Sequence, residues 1–396
     1  MTNFLNEAKS LFPYTQSMRR DFHMHPELGF KEIRTGGIVA KELEALGLEV
    51  TKGVGKTGVV GLLEGAKPGP TLLIRFDMDA LPMSEDTGAE YASQTPGVMH
   101  ACGHDGHTAI GLTVAKMLHA HREDLAGSVK FCFQPSEEGF NGEEVGGAEM
   151  MLRDGVLDGP KVDKTLSLHL WNEKPLGWVN VAKGPVMAGA EQFTIKLTGK
   201  GGHGAAPHTT IDPIVAAAQI VTTLQSIAAR NVAPLHAAVI SVTTLHSGTA
   251  FNIIPQEAEL TGTIRTFDLS VRQMVLERFE QIVRGIAETM GCKVDILVQR
   301  VTPAVINNDS VAAKIQETAR RLFPDTDLDT SNYLTMGAED MAFMQEKVDG
   351  CYFFIGSNNA EKNLNYSHHH PKFDFDEEAL VRGSALMASA VADMLK

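Results

Sequence analysis

Short apolar runs alternate with amphipathic helical stretches along the first part of this 396-residue chain, as an α/β domain requires. Residues 59–63, 72–76 and 129–133 are β-branched and aromatic runs that predict buried strands, and residues 108–119 predict a helix. Another helix, through 43–46, is closed by Gly47. Asp77, Asp79, Cys102, His104, Glu137 and Glu138 all fall just beyond strand ends or at a helix start, where ligand sites of open α/β sheets lie.

Turn chemistry at Lys183-Gly184-Pro185, and again at Val301-Thr302-Pro303, interrupts this pattern. Between the two breaks the expected order is strand (192–197), helix (212–229), strand (237–245), strand (258–266), helix (271–290), strand (293–299). That is the βαββαβ order of a ferredoxin-like domain. A strand at 351–355 and a last helix at 376–395 follow. The expected organisation is a larger α/β domain in two parts, residues 1–185 and 301–396, with a smaller domain, 186–300, inserted. An exposed sheet edge in the insert would invite pairing with a second copy.

Composition narrows the class without changing this picture. The chain is 43% hydrophobic and 21% charged, as ordinary globular proteins are. A net charge of −14 with no Lys/Arg cluster excludes a nucleic-acid partner. Residues 1–13 lack the pattern of a secretory signal, and no run approaches the roughly 18 apolar residues of a membrane helix. The expectation is a soluble, cytoplasmic protein without a membrane partner. Three of the four cysteines, Cys132, Cys292 and Cys351, read as small buried apolar residues of a reducing compartment.

The fourth is different. His100-Ala-Cys102-Gly-His104-Asp-Gly-His107 places a thiol, three imidazoles and a carboxylate in one short run, which is metal-site chemistry. Gln134-Pro-Ser-Glu137-Glu138-Gly follows a buried strand, and two adjacent carboxylates there call for a nearby positive charge. A cation held by Cys102, His104 and one of the glutamates would supply it; the plain alternative is a helix start capped by Asp105. His169 and the run His368-His369-His370 are further candidates. Gly199-Lys-Gly-Gly-His203-Gly matches a dinucleotide fingerprint in form, but no acidic residue lies between Asp212 and Glu257, where one is needed to hold a ribose, so a tight turn presenting His203, and with it His208, is the better reading. His23 and His25 read as structural or capping residues, and His119 and His121 suit the end of a helix.

Taken together, Arg20-Asp-Phe-His23-Met-His25-Pro-Glu27, Arg75-Phe-Asp77-Met-Asp79, the His100–His107 run, Gln134-Pro-Ser-Glu137-Glu138, Gly201-Gly-His203-Gly, Asn252-Ile-Ile-Pro255 and Gly262-Thr-Ile-Arg265 resemble the ordered motifs of the aminoacylase and carboxypeptidase G metallopeptidases. The branch they are similar to holds hippurate hydrolase and the N-acyl-amino acid and indoleacetyl-amino acid amidohydrolases. The resemblance implies a zinc-exopeptidase-like catalytic domain with an inserted lid and dimerisation domain. It also implies two divalent metal ions, zinc or else manganese, cobalt or nickel, bridged by Cys102 and held by His104, Glu138, His169 and His369. Glu137 matches the catalytic glutamate and Asp79 an aspartate that orients the centre. His203, Asn252 and Arg265 match substrate-contacting lid residues, with His203 reaching across a dimer. The implied substrate is a small N-acyl amino acid, and the implied assembly a homodimer or larger. One departure is Phe76, where the family carries a small residue; it should alter packing beside Asp77. Two readings from other classes are a two-domain solute-binding protein and a dinucleotide oxidoreductase.

Overall fold

The computed structural model describes residues 3–139, 141–324 and 327–396; of the expected polar start, Met1 and Thr2 lie outside them. The chain forms two compact units, one made of residues 1–186, 306–333 and 340–396, the other of 187–305 and 334–339. Among the described residues no helix is long and apolar enough to cross a membrane.

In chain order the first unit begins with α1 (Phe4–Met24), α2 (Ile33–Ala45), β1 (Glu49–Val54), β2 (Gly58–Glu64), β3 (Lys67–Asp77), α3 (His104–Ala120), β4 (Ala126–Gln134), α4 (Gly147–Arg153), β5 (Lys164–Pro175) and β6 (Trp178–Asn180). The second unit holds β7 (Gly189–Thr198), β8 (Gly202–His203), α5 (Pro213–Ser226), β9 (Ala238–Ser247), β10 (Ile253–Ile254), β11 (Glu257–Thr266), α6 (Leu269–Thr289) and β12 (Lys293–Thr302). The first unit resumes with α7 (Asp309–Leu322), β13 (Asp327–Asp329), α8 (Ala342–Gln345), β14 (Gly350–Asn358) and α9 (Glu378–Met394).

Eight strands of the first unit form one sheet in the order β1-β2-β4-β3-β5-β14-β6-β13. Its centre, β4-β3-β5-β14, is parallel, so these strands are covered on both faces and read as continuous apolar runs. Leu72, Leu73, Ile74, Phe131 and Phe133 are fully buried. α3 lies against this sheet and is buried along almost its whole length. Gly111 makes the close approach possible, because a Cβ there would come within 2.6 Å of Phe76 and 2.7 Å of Phe133. The large Phe76 side chain thus fills the space under α3, with its ring 5.6 Å from that of Phe133.

The second unit packs α5 and α6 against an antiparallel sheet ordered β9-β11-β7-β12, the strand order of a ferredoxin-like fold. Asp212 and Asp268 cap the two helices with side-chain oxygens, and Pro213 opens the first. Phe193 and Phe279 meet at 4.8 Å in its core. The glycine-rich segment after β7 runs into the short ribbon strand β8, not directly into a helix.

Asp105 does not cap α3. Gly103 occupies the N-cap position, and Asp105 accepts from Arg19 at 2.8 Å and from His23 at 2.7 Å. Arg19, on α1, is fully buried and also reaches Asp374 at 2.7 Å and Glu377 at 3.3 Å. This network explains why a helix interrupted by Pro13 continues to Met24: its last turns are pinned by buried ion pairs. His25 is the C-cap residue of α1, and His121 ends α3 with a 3.0 Å bond to Glu7.

His23 titrates at about 9 in this setting, above its ordinary 6.5: burial and Arg19 disfavour its charge, and Asp105 and Glu85 outweigh them. A folded value above the unfolded one contributes stability that is complete below about pH 6.5 and lost as pH rises through about 9. The melting temperature should therefore decline across that window. His23→Gln should flatten the decline and cost about 3 kcal/mol, the usual effect of breaking a buried pair; calorimetry at several pH values showing the same slope in both proteins would count against the assignment.

Candidate metal centre

The carboxyl ends of β3, β4 and β5 lie side by side and carry the polar residues. Asp77, the last residue of β3, pairs in register with Gln134, the last of β4, and His169 projects from β5 opposite Phe354 of β14. Cys102 lies two residues before α3, and the left-handed Gly103 between them, φ +92°, turns the chain so that His104 begins the helix. Ser136 (φ +49°) and His369 (φ +62°) adopt the same unfavourable region without being glycine. Strained backbone of this kind persists where the surrounding structure holds it and concentrates at functional sites.

Six side chains meet here. Nε2 of His169 is 3.5 Å from Sγ of Cys102, and Nε2 of His369 is 3.1 Å from Oε1 of Glu138. Nε2 of His104 is 4.0 Å from both Glu137 Oε2 and Glu138 Oε1. Donor atoms of Cys102, His104 and His169 all lie within 4.8 Å of one another, as do those of Cys102, Glu138 and His369, and those of His104, Glu137 and Glu138. The sulfur of Cys102 is common to the first two groups.

The outer atoms of these residues are fixed by protein partners. Nδ1 of His104 donates to the Asp79 carbonyl at 2.9 Å, with Asp79 Oδ1 at 3.2 Å, and Asp79 Oδ2 accepts from the Glu138 N–H at 3.0 Å. Among the described residues, Nε2 of His104 is buried without a hydrogen-bond partner, and it faces the shared volume. Nδ1 of His169 donates to the Leu170 carbonyl at 2.7 Å, which again leaves Nε2 facing inward. Histidines that ligate metals are held in this way.

The electrostatics point in one direction. Burial, reinforced by Glu138, Glu137 and Asp77, pushes the Cys102 thiol far up. Burial opposes the charge of His104, but Asp77, Asp79 and Glu138 raise it to about 10. The hydrogen bond to Glu138 raises His369, against burial. The volume is short of positive charge, and a thiolate, imidazoles and a carboxylate are the donors that borderline divalent ions favour. The residues fit such ions on these grounds.

Within His368-His369-His370, it is the ring of His369 that reaches Glu138. His368 is half-buried and donates to the Leu170 carbonyl at 3.0 Å; His370 accepts from the Lys372 N–H and stacks on Tyr366. His107 lies close to His104 but both its nitrogens are engaged: Nδ1 with Asp77 at 2.6 Å, Nε2 with the Leu170 N–H at 2.9 Å. Asp77 in turn meets the buried Arg75 at 2.6 Å, and Arg75 holds Gln134 and Asp340 at 2.8 and 3.0 Å. Sequence reasoning assigned His107, Arg75, Asp340 and His368 no supporting task. Arg75, Asp77 and His107 stand inside the quoted motifs, so a signal existed for them; none marked Asp340.

The remaining expected site residues belong to the second unit. His203, exposed on β8, pairs in register with Ile253 of β10, and the Gly204 N–H donates to the Asn252 carbonyl at 2.8 Å, which puts His203 and Asn252 on one ribbon. His208 is exposed on the turn that follows. Arg265 lies on β11, half-buried; burial lowers the pKa of its guanidinium, and Glu191 opposes that.

Comparison with known proteins adds the following. The model of the family described as Peptidase family M20/M25/M40 matches residues 73–393. An N-acyl-L-amino acid amidohydrolase of Geobacillus stearothermophilus is 46% identical over 292 residues, 74% of this chain and 77% of that protein. Thermostable carboxypeptidase 1 of Saccharolobus solfataricus is 40% identical over 96% of this chain and 95% of its own. The crystal structure of YXEP from Bacillus subtilis, described as a dinuclear metal-binding peptidase, superposes with a TM-score of 0.85 at 36% identity, covering 98% of this chain and 99% of that one.

Proposed function

We propose a substrate class and a division of labour from one premise: this chain belongs to peptidase family M20/M25/M40 and is a hydrolase of amide bonds. Its substrate is an N-acyl amino acid, cleaved to a carboxylic acid and a free amino acid. The observation that carries the reading is the Cys102 sulfur shared by two groups of possible ligands, one completed by His104 and His169, the other by Glu138 and His369. Two divalent ions fit that arrangement, zinc foremost, with manganese, cobalt or nickel as alternatives. When bound, such ions polarise the amide carbonyl and make a water molecule acidic.

The protein's own groups do the rest. Glu137 takes one proton from the attacking water and delivers it to the amine nitrogen as the carbon–nitrogen bond breaks. Glu138 stays ionised as a ligand, its backbone held by Asp79. His203 donates a hydrogen bond to the oxygen that gains charge, Asn252 helps to seat the substrate, and Arg265 offers a planar fork to the free α-carboxylate. The second unit thus acts as a lid, and the free edge of β9 pairs with a second copy to form a homodimer, which sedimentation velocity would read directly. A reducing, cytoplasmic setting keeps the Cys102 thiol available.

The test is hydrolysis of N-acetyl, N-benzoyl and longer N-acyl amino acids, their methyl esters and dipeptides, with each metal restored to stripped protein. N-acyl amino acids with a free carboxylate should be cleaved fastest, and only after metal is restored. Arg265→Ala should erase most of the preference for carboxylate over ester, a difference of roughly 10- to 100-fold for a charged hydrogen-bonded pair. Dipeptides cleaved best would move the reading to a carboxypeptidase; full activity in stripped protein would end it.

A further inference from the structure

The backbone of Leu170, in β5, joins the proposed ligand His169 to His107 and His368, which the proposed mechanism does not use. Its N–H donates to Nε2 of His107 at 2.9 Å, and its carbonyl accepts from Nδ1 of His169 at 2.7 Å and from Nε2 of His368 at 3.0 Å. An amide N–H can only donate and a carbonyl can only accept, so all three ring tautomers are fixed. His107 keeps its proton on Nδ1, facing Asp77 at 2.6 Å, and Asp77 is anchored by Arg75 at 2.6 Å. His169 is left with its Nε2 lone pair toward Cys102.

His368 is placed for a different task. Its ring packs against Trp171 and Phe373, each 5.0 Å away between ring centres, and lies 5.2 Å from His169. The next residue, His369, is in the left-handed region at φ +62°, with its N–H bonded to the Ala101 carbonyl at 2.8 Å and a largely exposed ring. An exposed loop residue in an unfavourable conformation needs its neighbours to hold it. The His368 bond to Leu170 and the His369 bond to Ala101 tie this loop to the strand and to the segment carrying Cys102, and Asn172 of the same strand holds the loop two residues earlier, at the Tyr366 carbonyl, at 2.7 Å.

We propose that His368 is a positioning residue: by donating to Leu170 it holds His369 at Glu138, and the Leu170 backbone thereby makes the Cys102/His104/His169 group and the Cys102/Glu138/His369 group depend on one another. The inference rests on the ligand reading given above.

The experiment compares His368→Gln, whose amide can still donate toward Leu170, with His368→Met, which is of similar size but cannot. Each protein, stripped of metal, is equilibrated with chelator-buffered zinc, and bound zinc per chain is measured across free concentrations. Wild type and His368→Gln should load two ions. His368→Met should bind one of the two 10- to 100-fold more weakly, the usual loss when a residue supporting a ligand is removed, with an unchanged melting temperature of the stripped protein. Equal isotherms for the two variants would overturn the proposal, whether both match wild type or both fall. His369→Ala separates the two levels: loss of the same ion supports the ligand reading whatever His368 does, whereas retention of both ions removes that reading and this inference with it.

Discussion

Glu137→Gln is expected to lower turnover by roughly 10²- to 10⁴-fold, the range of a removed general acid–base group, while the protein still holds two divalent ions per chain. The amide has the volume and hydrogen-bonding outline of the carboxylate but cannot accept and return a proton. The two neighbouring glutamates make this a sharp comparison. Glu138 has its N–H on Asp79 at 3.0 Å and its Oε1 on His369 at 3.1 Å and shares a group with the thiol, whereas Glu137 stands 4.0 Å from His104 and is grouped with His104 and Glu138 and with Glu339 and Asp340, not with Cys102. Glu138→Gln should accordingly weaken metal binding first. Single-turnover rates together with metal content measure both effects. A Glu137→Gln protein with near-normal turnover, or one that had lost its ions, would show that the roles had been assigned to the wrong carboxylates.

How much of this was legible in the sequence depended on range. The buried runs of β3 and β4 and the clustering of Cys102, His104, Glu137 and Glu138 at their ends are local patterns, since a parallel strand buried on both faces leaves a continuous apolar run and its polar residues can only follow it. The ferredoxin-like order of the second unit was readable for the same reason. His169 and His369 were different: a histidine on a strand and a run of three in a loop could be put forward as candidates from residue type, but only the family resemblance singled these two out as ligands. The hydrogen bonds of Leu170, the bond between Asp77 and His107, and the reach of Asp340 to Arg75 join residues up to 265 positions apart, which no periodicity encodes. Asp105 shows the same limit of range. Its place at a helix start left a cap open as the plain alternative, but Gly103 holds the N-cap position and the Oδ2 of Asp105 accepts from the buried Arg19 and His23 of a distant helix.

Cys102→Ala should abolish binding of both ions, not one, and this is the larger of the two expected effects on the metal centre. The sulfur is the one atom common to the two groups of possible ligands that also contain His169 and His369, so its removal takes a donor and a negative charge from each. Without ions, burial and then the surrounding carboxylates keep the thiol protonated, and the carboxylates, against burial, hold a proton on His104, which titrates at about 10. Loading must displace those protons. Apparent affinity should therefore rise with pH below about 10, and calorimetric binding enthalpies of the wild type should vary with the ionisation enthalpy of the buffer. In Cys102→Ala the thiol's share of that release disappears. Ions present at a thousandfold excess over Kd stabilise a folded protein by about 4 kcal/mol each, so the melting temperature of the wild type should drop on chelation, while that of the variant should already sit at the chelated value. A variant that kept one ion at wild-type affinity would assign the sulfur to a single group and leave the other ion to be held by imidazole and carboxylate alone.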